Sequence, residues 1–283
     1  MPSSDPTPPT SGAGATIGIA PMLIRCPQRV ISDEACRRLQ MAQEAHDYAR
    51  SKLTYGAGNQ ALAMADTNLN STYRVQVARD DAKQYFNYPD GATRLAGLNT
   101  QSQIAELAAK AELAQGGNCG EHAMVAYDYL RRTYPDEHLQ LSRKEGLDHA
   151  FVIIGDPASD SSEELVVADP WPTSPTPVLW EDHFAYTADA DKLVAIASTR
   201  GDGRDYRREM IDAGLSLTDA GKKLIAHSAS DADTEKVISD GKGHWVWTHS
   251  DTAAPGHHLQ YVTAPAVSSG LVTCPGITQS FCR

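Results

Sequence analysis

Three short motifs hold the side chains of this sequence that could do chemistry. They are Gly117-Asn118-Cys119-Gly120-Glu121-His122-Ala123, Asp148-His149-Ala150-Phe151-Val152-Ile153-Ile154-Gly155 and Val166-Val167-Ala168-Asp169-Pro170-Trp171-Pro172. Cys119 follows a Gly-Gly turn at a predicted helix start, with Asn118 as N-cap and Glu121 as the third-residue partner of a capping box. Free backbone N–H groups and the dipole at a helix start stabilise a thiolate, and they can also hold the oxyanion of a tetrahedral intermediate. His149 opens a predicted strand whose alternate residues Phe151 and Ile153 share its face. If that face packs on the Cys119 helix, the imidazole meets the sulfur and serves as general base and acid. Asp169 ends the neighbouring strand, where a carboxylate can accept from the far ring nitrogen and fix the tautomer. Trp171 is placed to shield that bond from water.

Each residue also has a plainer reading. An isolated cysteine is usually a small buried apolar residue, a lone histidine a half-buried core residue, and Asp-Pro a strand-ending turn. Asp148 points to the opposite strand face from His149 and is not expected to orient the ring. Glu121 and His122 read as a cap and a helix-face residue.

The elements that must position these groups follow from periodicity. A helix is predicted from Asp33 to Leu53, capped by Ser32, and another over Gln101–Leu113. The Cys119 helix carries Ala123, Ala126, Tyr127 and Leu130 on one face, Arg131 and Arg132 in its last turn, and Pro135 beyond. The pattern then changes to strands at Asp148–Ile154 and Leu165–Asp169, joined as a hairpin, with others at Val178–Trp180 and Lys192–Thr199. Residues 59–98 give weak signals, with a short helix around Ala78–Tyr85. Beyond the Gly- and charge-rich stretch 201–205, a helix is predicted near Thr218–Ala226 and strands at His244–Thr248 and His258–Thr263. The domain reading is a disordered Pro/Ser/Thr/Gly leader over 1–25, a catalytic domain over 26–200, and an extension over 201–283 packed on the core.

Composition narrows the function classes. The 283 residues carry 25 basic and 36 acidic side chains, a formal charge of −11, with 41% hydrophobic residues. An acidic chain without a Lys/Arg cluster is a poor partner for nucleic acid, and no run approaches the ~20 apolar residues of a membrane span. Arg25 is the first basic residue, so the apolar run before it lacks the basic flank of a Sec signal peptide. Five cysteines are compatible with two terminal pairs, Cys26/Cys36 and Cys274/Cys282, and a free Cys119, or with five reduced thiols. His244, His249, His257 and His258 cluster, but without Cys-x-x-Cys or His-Glu-x-x-His no metal site is expected.

In order and context the three motifs resemble the papain-like and transglutaminase-like superfamily. Within it, they are similar to the cysteine protease and deamidase domains of bacterial secreted effectors and toxins. The resemblance covers about residues 99–199. It implies an α+β fold with the cysteine-bearing helix packed on an antiparallel sheet that bears His and Asp. It also implies a Cys119–His149–Asp169 triad, no cofactor and no metal. The papain pattern places an oxyanion-donating Gln several residues before the cysteine. Here Gln115 stands four residues ahead, and Asn118 and the Cys119 N–H compete for the role. The implied function is a cysteine hydrolase, a protease or a glutamine/asparagine deamidase, acting on a host protein after export without a Sec signal. The alternatives are a transglutaminase-like acyltransferase, a peptidoglycan amidase or peptidase, and a non-catalytic binding module.

Overall fold

Ser32 launches the first long helix by accepting the Ala35 N–H on its hydroxyl at 3.1 Å, while Asp33 and Glu34 sit at the positive end of the dipole and Arg50 and Lys52 at the negative end. The computed structural model describes residues 28–79, 84–88, 100–248, 259–263 and 272–273. In chain order the elements are β1 (Gln28–Ile31), α1 (Asp33–Lys52), α2 (Ala61–Asp66), α3 (Asn70–Ala78), β2 (Phe86–Asn87), α4 (Thr100–Ala114), α5 (Cys119–Thr133), β3 (His138–Lys144), β4 (Ala150–Ile154) and β5 (Val166–Ala168). They continue as β6 (Val178–Leu179), β7 (Leu193–Arg200), α6 (Tyr206–Asp212), β8 (Ser216–Leu217), α7 (Asp219–Ile225), α8 (Asp231–Gly241), β9 (Gln260–Thr263) and β10 (Val272–Thr273). The class is α+β. No helix among the described residues is long and apolar enough to cross a membrane.

The central sheet is antiparallel, in the order β6-β5-β4-β3-β7. The predicted hairpin is present, with Val152 opposite Ala168 and Ile154 opposite Val166. Its central neighbour β3 has no counterpart among the sequence expectations, although Leu139 and Leu141 alternate with polar residues as a half-buried strand should. Sheet parity differs from expectation. The face toward α1 and α5 carries Leu139, Leu141, Val152, Ile154, Val166 and Ala168. Phe151 and Ile153 lie on the other face, in a cluster with Val167, Val178 and Trp180. His149 precedes β4 rather than opening it, so strand alternation does not govern its direction.

Helices α1 and α5 cover one face of the sheet, and their small residues permit close approach: Ala35, Ala42, Ala45, Ala123 and Ala126 are all essentially inaccessible. The chain after β7 packs on the helical side, α6 against α4, α7 against α3 and α8 against α2. The buried Arg131 pairs with Asp128 one turn back on α5 at 2.8 Å and ties the end of that helix to this segment through Asp202. Several local expectations need correction. Helix α3 ends at Ala78, where a helix was predicted to start, and residues 80–83 lie outside the described residues. The stretch 244–248 forms turns and isolated bridges, Lys242 with Val246 and Gln60 with Trp247, rather than a strand. Helices α2, α6 and α8 have no counterpart among the sequence expectations. The leader, His249, His257 and His258 also lie outside the described residues. Cys36 is disulfide-bonded and Cys119 is the free cysteine among the described residues. Cys26, Cys274 and Cys282 lie outside them.

Candidate active site

Cys119 is the first residue of α5, half-buried, behind the glycine turn. Close approach explains those glycines. A Cβ on Gly117 would stand 2.3 Å from the Glu121 Cβ, and one on Gly116 would stand 2.8 Å from the Arg74 Cβ. Asn118 and Glu121 are arranged as a capping box. Its strong arm is the Asn118 N–H donating to Glu121 Oε2 at 2.7 Å, while Asn118 Oδ1 is buried without a hydrogen bond of normal geometry. Glu121 also accepts two hydrogen bonds from Arg79, at 2.7 and 2.9 Å. Although burial opposes it, the Arg79 guanidinium and the backbone N–H groups hold the Glu121 carboxyl below its ordinary value.

The loop before β4 brings the imidazole to the sulfur. The His149 N–H turns back to the Leu147 carbonyl at 2.8 Å, and the Asp148 carbonyl lies 4.0 Å from Cys119 Sγ. His149 Nε2 donates to Asp169 Oδ2 at 2.6 Å. That leaves Nδ1, which has no other hydrogen-bond partner, as the ring nitrogen open to the thiol. Burial alone would lower the His149 imidazolium. The Asp169 charge and hydrogen bond outweigh it, Cys119 acts in the same direction, and the group is raised to about 10. Trp171, Phe184 and Phe151 surround the ring, with centroids 4.9, 4.9 and 6.1 Å away.

Asp169 follows β5 and is fully engaged. Its Oδ1 accepts the Trp171 N–H at 3.3 Å, and its Oδ2 accepts both His149 and His183, the latter at 3.1 Å. Burial would raise this carboxyl, but the charges and hydrogen bonds of the two histidines hold it well below the usual carboxylate range. Its own N–H donates to His46 Nε2 at 2.8 Å.

Two of these histidines went unrecognised in the sequence. The Ala185 N–H donates to His183 Nδ1 at 3.3 Å, so the His183 proton resides on Nε2 and points at Asp169. Burial lowers His183, although Asp169 opposes it. His46, on α1, accepts through Nε2 and carries its proton on Nδ1, which is buried without a partner. Burial lowers it to about 4. Neither residue sits in a motif. His46 falls on the apolar stripe of α1, and that placement was the available signal. His122 is a third buried neutral histidine, lowered to about 4 by burial, with Nδ1 on the Asn118 carbonyl at 2.8 Å.

Cys119, His149, Asp169 and Trp171 are thus brought together. Gln115 takes another role. It ends α4 with φ of 58°, and its side-chain carbonyl accepts from Arg74 at 3.3 Å. That leaves the Cys119 N–H and Asn118, of the groups expected to face an oxyanion, beside the sulfur. Among the described residues, His149, Asp169 and His183 have ligand atoms within 4.8 Å of one another. They are already joined by two hydrogen bonds to one carboxylate oxygen, which accounts for their convergence. Comparison of the chain with family models, with curated proteins and with solved structures returns no match.

Proposed function

We propose that this chain is a cysteine-dependent amide hydrolase with Cys119 as nucleophile, His149 as proton carrier and Asp169 as its orienting carboxylate. One observation carries the reading: His149 is clamped to Asp169 at 2.6 Å while its other side is open to a thiol at a helix start. An imidazolium beside a thiol favours the thiolate. The sulfur attacks the carbonyl carbon, and the tetrahedral oxyanion falls to the Cys119 N–H with Asn118 beside it. Collapse breaks the C–N bond, the imidazolium gives its proton to the departing nitrogen, and a thioester remains. Neutral His149 then takes a proton from water, the hydroxide adds to the thioester, and the acid leaves as the thiolate and imidazolium re-form.

A helix bearing the nucleophile, packed on an antiparallel sheet with the base and acid just outside the ends of its interior strands β4 and β5, supports a papain-like assignment of the α+β fold. The motif series extends the proposal to a secreted effector that acts on a host protein as protease or glutamine/asparagine deamidase. Transfer to an amine in place of water would make it an acyltransferase. Intact mass spectrometry of candidate target proteins tests the reaction: a gain of about 1 Da marks deamidation, fragments mark proteolysis and an adduct marks transfer. Iodoacetamide alkylation at neutral pH tests the thiol itself. No faster reaction at Cys119 than for an unperturbed thiol, or activity surviving in Cys119→Ala, overturns the assignment.

A further inference from the structure

Two tryptophans connect the segment beyond β7 to the catalytic centre. Trp247 meets Trp171 edge-on, with ring centroids 5.5 Å apart, and Trp171 in turn lies 4.9 Å from the His149 ring. Backbone bonds hold Trp247 there: its N–H donates to the Asn59 carbonyl and its carbonyl accepts the Ala61 N–H, both at 2.8 Å. Two residues earlier, Trp245 is 45% exposed. Together with Val237 of α8 and with Leu69, Tyr73 and Val75 at and within α3, it lines a cavity of about 530 Å³. Arg79 also lines this cavity, and Arg79 is the residue paired to Glu121 in the first turn of the Cys119 helix. The volume falls within the roughly 300–1,000 Å³ of small-ligand pockets. Its walls are mostly apolar; of the polar lining residues Thr72, Gln76 and Arg79, only Arg79 is charged, and it is already paired.

We infer that the C-terminal segment completes a substrate subsite, in which the cavity between α3, α8 and Trp245 receives an apolar side chain of the polypeptide whose amide Cys119 attacks. The inference rests on the thiol-hydrolase reading and adds a specificity determinant to it. The same segment serves both purposes: Trp247 backs the ring that covers His149, and Trp245 presents the apolar wall.

The test uses the full chain and thiol-directed epoxysuccinyl amides, whose electrophile can react with the arm on either side of the sulfur. Arms of phenylalanine, glutamate and glycine are compared. Each alkylation rate at Cys119 is divided by the same protein's rate with iodoacetamide, so changes in folding or thiol reactivity cancel. The phenylalanyl arm should be favoured over the glycyl arm on the order of tenfold or more, with the glutamyl arm no better than glycyl. Trp245→Ala should remove most of that preference. Gln76→Trp, which fills the cavity from an exposed lining position, should remove it as well. A ratio near one in the wild type, or a preference that survives both variants, overturns the subsite while leaving a reactive Cys119 intact. An unreactive Cys119 overturns the hydrolase reading and the subsite with it.

Discussion

Replacing Asp169 by Asn keeps the outline of the side chain and removes the charge that holds His149 protonated. His149 stands at about 10 against an ordinary 6.5, which at ~1.36 kcal/mol per unit is roughly 4–5 kcal/mol of preference for the imidazolium. The ring is 1% exposed, so without the carboxylate only Cys119 still opposes its desolvation and the group falls steeply toward or below its ordinary value. The amide also cannot satisfy its neighbours. Oδ1 accepts the Trp171 N–H and Oδ2 accepts two imidazoles, whereas Asn has one acceptor oxygen. At least one buried donor then faces an NH₂ group, at a cost of about 1–3 kcal/mol. In the wild type, ¹⁵N NMR of the ring nitrogens should show His149 as the cation from pH 6 to 8. Asp169→Asn should show it neutral at pH 7, and iodoacetamide alkylation of Cys119 should slow on the order of a hundredfold. The sign in stability follows from linkage. A group raised in the folded state contributes fully below its unfolded value of 6.5, and that contribution is lost as pH rises through about 10. The stability deficit of Asp169→Asn should therefore shrink toward pH 10 and beyond. A wild-type His149 that titrates near 6.5, or a variant whose ring stays cationic at pH 7, would refute the reasoning.

Other outcomes follow from the same contacts. Gly117→Ala forces a Cβ to within 2.3 Å of the Glu121 Cβ, so it should cost ~1–3 kcal/mol in urea unfolding and slow Cys119 alkylation by displacing the helix start. His46→Leu leaves the Asp169 N–H without its acceptor, and a loss of about 1–3 kcal/mol is expected in the same assay. His46 and His122 are each held to about 4 in the folded state, so the unfolded chain binds more protons between that value and 6.5. Stability should fall as pH drops through this window, by roughly 2–3 kcal/mol per histidine at pH 4.5, and His122→Gln should flatten the profile. Glu121→Gln retains a hydrogen-bonding cap but loses the carboxylate paired with Arg79. Circular dichroism melts should show a modest loss, and raising salt should erase part of the wild-type advantage.

The candidate nucleophile, its helix and the hairpin were legible because each is a local matter. Gly116-Gly117 and the Asn118/Glu121 cap set the start of α5 from neighbours a few residues away, and the alternation around Val152 and Val166 sets the strands. The parity of β4 departs from the alternation expected of a strand opened by His149 because that residue lies before the strand. A turn closed by its N–H to the Leu147 carbonyl frees it from that alternation. The missing strand β3 and helices α6 and α8 are short or weakly patterned, and packing against the rest of the chain stabilises them. Gln115 shows the limit of spacing as a guide. It stands near the cysteine in sequence, yet the end of α4 and Arg74 claim its side chain.

Residue types and short-range order in the sequence alone specified a thiol at a helix start, an imidazole and a carboxylate near paired strands, and an acidic chain of mixed α and β character. Only the tertiary structure decided that His46 from α1 and His183 from beyond β6 close around Asp169, that Arg79 reaches the cap of α5, and that Trp247 backs the ring covering His149. The physical reason is range. Capping and periodicity act over a few residues, whereas hydrogen bonds and burial join groups more than a hundred residues apart, as His46 and Asp169 are, and no local pattern encodes those meetings.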